Sequence, residues 1–114
     1  MIDKYVSLDS STEWTPVAPG LRRKLIPTDN LMIVVVEFFE GPAEVPDPFH
    51  NHPHEQASYI AEGELILFVE GVGEQKLVKG DLFAIPSGIP HTVQILTKVV
   101  RIIDSFTPVR EDFL

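Results

Sequence analysis

The sequence predicts an all-β fold, a barrel or sandwich. Its apolar runs are rich in Val, Ile, Phe and Leu and are short, mostly five to ten residues. Ten prolines and seven glycines are spread between those runs rather than collected in one place. No segment combines a helical period with helix caps. Short strands at even spacing, separated by turn residues, are the pattern of closed or two-sheet β folds.

Strands are expected over 4–8, 22–27, 31–40, 56–61, 64–70, 74–78, 82–85, 91–96 and 98–107. The longest apolar run, LMIVVV at 31–36, has strand length and is far too short to cross a bilayer. Arg22-Arg23-Lys24 is the one basic cluster and reads as a solvated strand edge. GPAEVPDP at 41–48 is rich in proline and should deliver the chain to His50 without regular pairing. Glu62-Gly63 is a tight hairpin turn, with Gly63 able to take positive φ. Gly71-Val72-Gly73 joins the next pair, and Gly80-Asp81 leads into another strand. IPSGIP at 85–90 carries two prolines and must be a loop or an edge.

The bulk numbers narrow the function. At 114 residues the chain fits one domain, 1–114, and at 44% hydrophobic it can bury a core. It has no cysteine, so no disulfide framework and no thiolate chemistry are available. A net charge of −8 disfavours nucleic acid as a partner, because phosphate neutralisation needs a basic surface. No membrane-spanning run or signal-peptide layout is present, so a soluble cytoplasmic protein is expected.

The chemistry concentrates in HNHPHEQ, from His50 to Gln56. Side chains two apart share a strand face. His50 and His52 can therefore point inward together, with Gln56 on the same parity. His54 shares that parity but follows Pro53, which can twist it out of the row; it reads as a rim or supporting group. Glu55 has the opposite parity and should face outward. His91 lies far along the chain, after the SGIP turn. Imidazole is the commonest protein ligand for transition metals.

The spacing resembles the two signatures of the cupin superfamily. His50 and His52 are followed after three residues by Gln56 and after six more by Gly63. The segment GDLFAIPSGIPH runs from Gly80 through Pro86 and Gly88 to His91. This implies a single cupin domain, a double-stranded β-helix or jelly-roll barrel, with His50, His52, Gln56 and His91 holding one divalent transition metal (Ni, Zn, Fe, Mn or Co). Three departures stand out. Gln56 replaces the glutamate, Glu44 replaces a glycine, with Gly41 nearby, and Ile95 replaces an asparagine. The first changes the chemistry. An amide leaves the metal more positive, a better Lewis acid and a poorer reductant for oxygen.

The tail, DSFTPVREDFL from Asp104 to Leu114, carries a second feature. Parity puts Val100, Ile102, Asp104 and Phe106 on one face and Arg101 on the other. An acid among inward apolar residues needs a partner or a purpose. Arg110 can turn back toward the mouth; equally, Asp104 can start a tail turn with Arg110 paired to it or to Glu111.

Most of the chain resembles the KdgF family, the small cupins of pectin and alginate breakdown. The matching elements are Trp14 ahead of PGLRR, HPHEQ, YIAEGE, GDLFAIPSGIPH and the DSFTPVREDFL ending. The resemblance implies conversion of 4,5-unsaturated uronate monosaccharides from a cyclic to a linear keto form. It implies metal ligands at His50, His52, Gln56 and His91, an acidic catalytic residue at Asp104, and catalytic Phe106 and Arg110. Asp104 would shuttle protons, Arg110 would hold the uronate carboxylate, and Phe106 would pack against the sugar. An iron-dependent cupin dioxygenase and a non-catalytic sugar-binding cupin are the alternatives. Small cupins often pair as homodimers by exchanging N-terminal strands, a role KYVSL at 4–8 could fill.

Overall fold

The computed structural model describes residues 2–114. The strands are β1 (Thr15–Ala18), β2 (Leu21–Pro27), β3 (Met32–Phe38), β4 (Glu55–Glu62), β5 (Glu64–Val69), β6 (Gly73–Val78), β7 (Leu82–Ile85), β8 (His91–Ile95) and β9 (Val100–Thr107). A six-stranded sheet runs β1-β2-β3-β9-β4-β7, and a three-stranded sheet runs β6-β5-β8. Every pairing is antiparallel. Short 3-10 turns span Ile2–Tyr5 and Glu111–Phe113. Among the described residues no helix is long and apolar enough to cross a membrane.

The alternation of the sequence decides what lies between the sheets. Ile60 and Ile102 face each other across β4 and β9, and meet Leu65, Leu67, Leu77 and Ile95 of the small sheet in one apolar cluster. A second cluster, Met32, Val34 and Phe106, is closed over by Leu25, Val36, Val109 and Phe113. Burying each large side chain contributes roughly 1.5–3 kcal/mol.

The proline-rich stretch before the histidines forms no strand, as expected, but it is fastened. Gly41, Ala43 and Asp47 donate backbone hydrogen bonds to the carbonyls of Lys98, Ile95 and Val93. Thr92 and Gln94 send side-chain bonds back to the carbonyls of Asp47 and Ala43. The stretch thus lies along the outer edge of β8, spaced too widely for a ladder because prolines lack donors. Gly41 is required there: a Cβ would stand 2.0 Å from the Thr97 carbonyl oxygen. Gly63 has φ +81°, and a Cβ on it would stand 2.1 Å from the Val99 carbonyl oxygen.

Three expectations are corrected. Residues 4–8 form no strand: Ile2–Tyr5 is a 3-10 turn, and Val6 and Leu8 are exposed and outside any strand. Thr15–Ala18 is a strand that apolar alternation does not reveal. It carries Pro16, tolerated because β1 is an edge. The Arg22-Arg23-Lys24 run is not at an edge, since β2 lies between β1 and β3. Arg22 and Lys24 face outward beneath Trp14, with the Arg22 guanidinium 4.4 Å and the Lys24 ammonium 4.6 Å from its ring centre. Arg23 faces the opposite way.

On that outer face Arg22, Glu37 and Arg101 are register partners across β2, β3 and β9. The Nε atoms of Arg22 and Arg101 donate to the two Glu37 carboxylate oxygens at 2.9 and 3.0 Å. Glu37 is 3% exposed. Burial alone would push its carboxyl up, but the hydrogen bonds from Arg101 and Arg22 outweigh it and hold the pKa below the ordinary glutamate value. A depressed carboxyl stabilises the fold above the unfolded-state pKa and loses that contribution as pH falls through the folded one.

Two predictions follow from these contacts. Glu37→Gln should cost about 1–3 kcal/mol at neutral pH, and the gap to wild type in melting temperature should close once pH drops below the ordinary glutamate range. A constant gap at every pH would contradict the ionic origin. Gly63→Ala should cost about 2 kcal/mol or more, read as a lower urea midpoint; an unchanged midpoint would mean the turn relaxes freely.

Candidate metal centre and active site

Three imidazoles converge from two places in the chain, His50 and His52 ahead of β4 and His91 at the start of β8. His50 and His91 exchange backbone hydrogen bonds of 3.1 and 2.9 Å, an isolated bridge that ends the fastened stretch. His52 follows on the same face, and its carbonyl accepts from Gly88 N at 2.8 Å. One ring nitrogen from each of His50, His52 and His91 lies within 4.8 Å of the other two. Their ring centres are 4.3 Å (His50–His91), 5.0 Å (His52–His91) and 5.9 Å (His50–His52) apart.

The ring orientations are set by carbonyls two residues away. His52 Nδ1 bonds the His54 carbonyl and His91 Nδ1 the Ile89 carbonyl, each at 2.8 Å; a backbone hydrogen bond at Pro48 acts on His50. An Nδ1–H tied this way leaves the Nε2 lone pair as the donor. His91 Nε2 is buried with no hydrogen-bond partner. Burial, with the neighbouring imidazoles and the Arg110 charge, lowers the His50 pKa. Burial also lowers that of His91, against the Ile89 bond and with help from His52 and Arg110. Both shifts favour the neutral ring of His50 and His91, the state that binds metal.

Gln56 offers an oxygen beside this group. Its Oε1 stands 3.1 Å from His52 Nε2. With the Nδ1 hydrogen directed at the His54 carbonyl, the neutral His52 ring turns a lone pair toward the amide oxygen, an arrangement that a shared cation satisfies. Ligands of one ion at bonds of about 2.1 Å stand about 3 Å apart. The donor set, the orphaned His91 nitrogen and the lowered pKa values of His50 and His91 all fit a divalent transition metal.

The other end of the same amide reaches the acid. Gln56 Nε2 donates to Ser58 Oγ at 3.0 Å and to Asp104 Oδ1 at 3.1 Å. Ser58 Oγ donates to Asp104 Oδ1 at 2.5 Å. Antiparallel register makes this possible, pairing Gln56 with Phe106 and Ser58 with Asp104. Burial pushes the Asp104 carboxyl up to about 6; the bonds from Ser58 and Gln56 and the Arg110 charge offset this only in part.

Phe106 meets His52 edge-on at 5.7 Å between ring centres, and Phe113 meets Phe106 likewise at 6.0 Å. The Arg110 guanidinium lies 5.3 Å from the Phe106 ring centre and 4.1 Å from that of Phe113. Its terminal nitrogen contacts Asp112 at 3.1 Å, so neither Asp104 nor Glu111 is its ion-pair partner. Asp104 is the fifth residue of β9 and does not start a turn.

The structure thus brings together all seven residues singled out from the sequence: His50, His52, Gln56, His91, Asp104, Phe106 and Arg110. His54 stays outside the converging group and contributes its carbonyl. Glu55 is exposed. Ser58 and Phe113 were not anticipated. Ser58 shares the parity of Gln56, but only the β4–β9 register sets it opposite Asp104.

Fold and site together define a cupin, and the cupin-domain family model matches residues 37–106. Within the cupins the chain belongs to the KdgF family. It is 36% identical over 110 residues to pectin degradation protein KdgF of Dickeya dadantii (strain 3937), covering 94% of this chain and 96% of that relative. KdgF from a Halomonas species superposes with a TM-score of 0.83 at 32% identity, covering 94% of this chain and 97% of that one. An RmlC-like cupin from Shewanella frigidimarina NCIMB 400 also gives 0.83, at 35% identity over 95% and 94% of the two chains.

The geometry sorts the histidines by experiment. His50→Ala, His52→Ala and His91→Ala should each lower metal affinity about tenfold or more, read by elemental analysis after dialysis, while His54→Ala retains full loading. Comparable loss in His54→Ala would put that ring among the ligands.

Proposed function

We propose that this protein converts 4,5-unsaturated uronate monosaccharides, released by pectin or alginate lyases, from the cyclic to the linear keto form. The observation that carries this reading is the continuous link from His52 through Gln56 to Ser58 and Asp104. It joins a buried acid to the histidine cluster that would hold a metal. End-to-end similarity to a pectin degradation protein supports the substrate class.

The reaction is an isomerisation. A proton leaves the ring-carbon hydroxyl as the ring carbon–oxygen bond breaks, and a proton is added to the enol carbon as the ketone forms. Asp104 accepts the first and returns the second. Its carboxylate accepts bonds from Ser58 and Gln56 on Oδ1, which leaves Oδ2 to face substrate. Arg110 grips the uronate carboxylate, for which a guanidinium fork is suited; its present contact with Asp112 marks where an anion sits. Phe106 packs against the sugar's apolar face. His50, His52, His91 and Gln56 would hold one divalent ion (nickel, zinc, iron, manganese or cobalt), which would supply positive charge and Lewis acidity to a substrate oxygen.

The reading also includes a homodimer acting in the cytoplasm. The exposed Ile2, Tyr5, Val6 and Leu8 support a partner at the N-terminal segment.

Asp104→Ala should keep its metal and slow the loss of the unsaturated sugar's ultraviolet absorbance by about 100-fold or more, with the linear keto product identified by NMR in wild type. Turnover at the wild-type rate would remove the proton-shuttle role.

A further inference from the structure

Arg23 is the middle residue of a basic run whose neighbours face outward. It pairs across β2 and β3 with Val36 and precedes Leu25 by two residues, and both those side chains close over the inner apolar cluster. Arg23 therefore points inward. Its guanidinium lies 3.8 Å from the Phe113 ring centre, and that of Arg110 lies 4.1 Å from the same centre. Phe113 in turn abuts Phe106, which abuts His52. The rings link Arg23 to the imidazole cluster.

Arg23 differs from the other arginines. Arg22, Arg101 and Arg110 each pair with a carboxylate. Among the described residues no carboxylate pairs with Arg23. Its Nε is buried with no acceptor, and so is that of Arg110. Buried donors without acceptors are rare and call for an explanation. Here two such donors flank one ring, and of the two guanidiniums only that of Arg110 meets a carboxylate, Asp112, among the described residues. An anion entering between them would satisfy both.

We propose that Arg23 is a second substrate-binding arginine, which with Arg110 selects a sugar bearing a carboxylate over its neutral counterpart. The inference rests on the functional reading above. Phe113 acts as the spacer that holds the two forks apart and faces the sugar ring between them. The site would then discriminate by charge on the substrate, beyond what the metal and Arg110 provide.

The test compares 4,5-unsaturated galacturonate with its methyl ester on wild type, R23Q and R23K. Melting temperature and metal content are recorded for each; where the ester is not turned over, its inhibition constant replaces KM. R23Q should raise KM for the acid about tenfold or more with kcat little changed, and leave the ester constant unmoved. R23K should fall between, because ammonium keeps the charge but loses the planar two-point grip. An equal effect on acid and ester, or none on the acid, overturns the assignment. If R23Q does not fold, R23K decides by the same acid-specific criterion. If wild-type protein leaves the unsaturated uronate unchanged, the functional reading fails by itself. Calorimetric binding of galacturonate then judges Arg23: weaker binding to R23Q or R23K than to wild type supports it, and equal or absent binding overturns it.

Discussion

The side-chain amide of Gln56 holds the site together because its two ends differ. Its oxygen faces His52 and its nitrogen faces Asp104 and Ser58. A glutamate at this place would keep the ligand oxygen but lose the donor. It would also set a second carboxylate about 3 Å from Asp104, and like charges that close cannot both ionise. The amide thus does two things. It would leave the charge of a metal held by the histidines undiluted, and it links that position by hydrogen bonds to Asp104, the proposed proton shuttle.

That coupling depends on strand register more than on any single contact. Ser58 opposes Asp104 and Gln56 opposes Phe106 only because β4 and β9 pair in one alignment. A slip of one residue would turn Asp104 out to solvent and bring charged or polar residues into the core. The site also concentrates positive charge inside an acidic protein. Arg23 and Arg110 flank Phe113 while net charge stays at −8. Close, desolvated cations outweigh diffuse surface charge over a few ångströms, so an acidic ligand and an acidic protein are compatible.

Much of this was legible in the sequence. Period-two alternation put Asp104 and Phe106 inside, and fixed spacings sorted His50, His52, Gln56 and His91 from His54 and Glu55. What escaped was what alternation does not encode. Residues 4–8 read as a strand from their apolar content, yet Ile2–Tyr5 folds as a 3-10 turn. Thr15–Ala18 barely alternates, yet pairs with β2 as an edge. The Arg22-Arg23-Lys24 run looked like one wet surface because adjacent charges hide the fact that a strand sends them to opposite faces. Ser58 and Phe113 gained their places through cross-strand register and the path of the tail, which no local pattern reports.

The Arg22–Glu37–Arg101 row carries one further consequence. Alternation forbids a slip of one residue between strands, but a slip of two keeps every apolar side chain facing inward. The core cannot detect that error. The outer row can, because a two-residue slip of β3 against β9 would separate Glu37 from Arg101 and strand a buried carboxylate with half its partners. The same slip would move Asp104 away from its place opposite Val34. An ion cluster on the solvent side of the sheet therefore works as a gauge, setting along the strand axis the position of an acid on the other side.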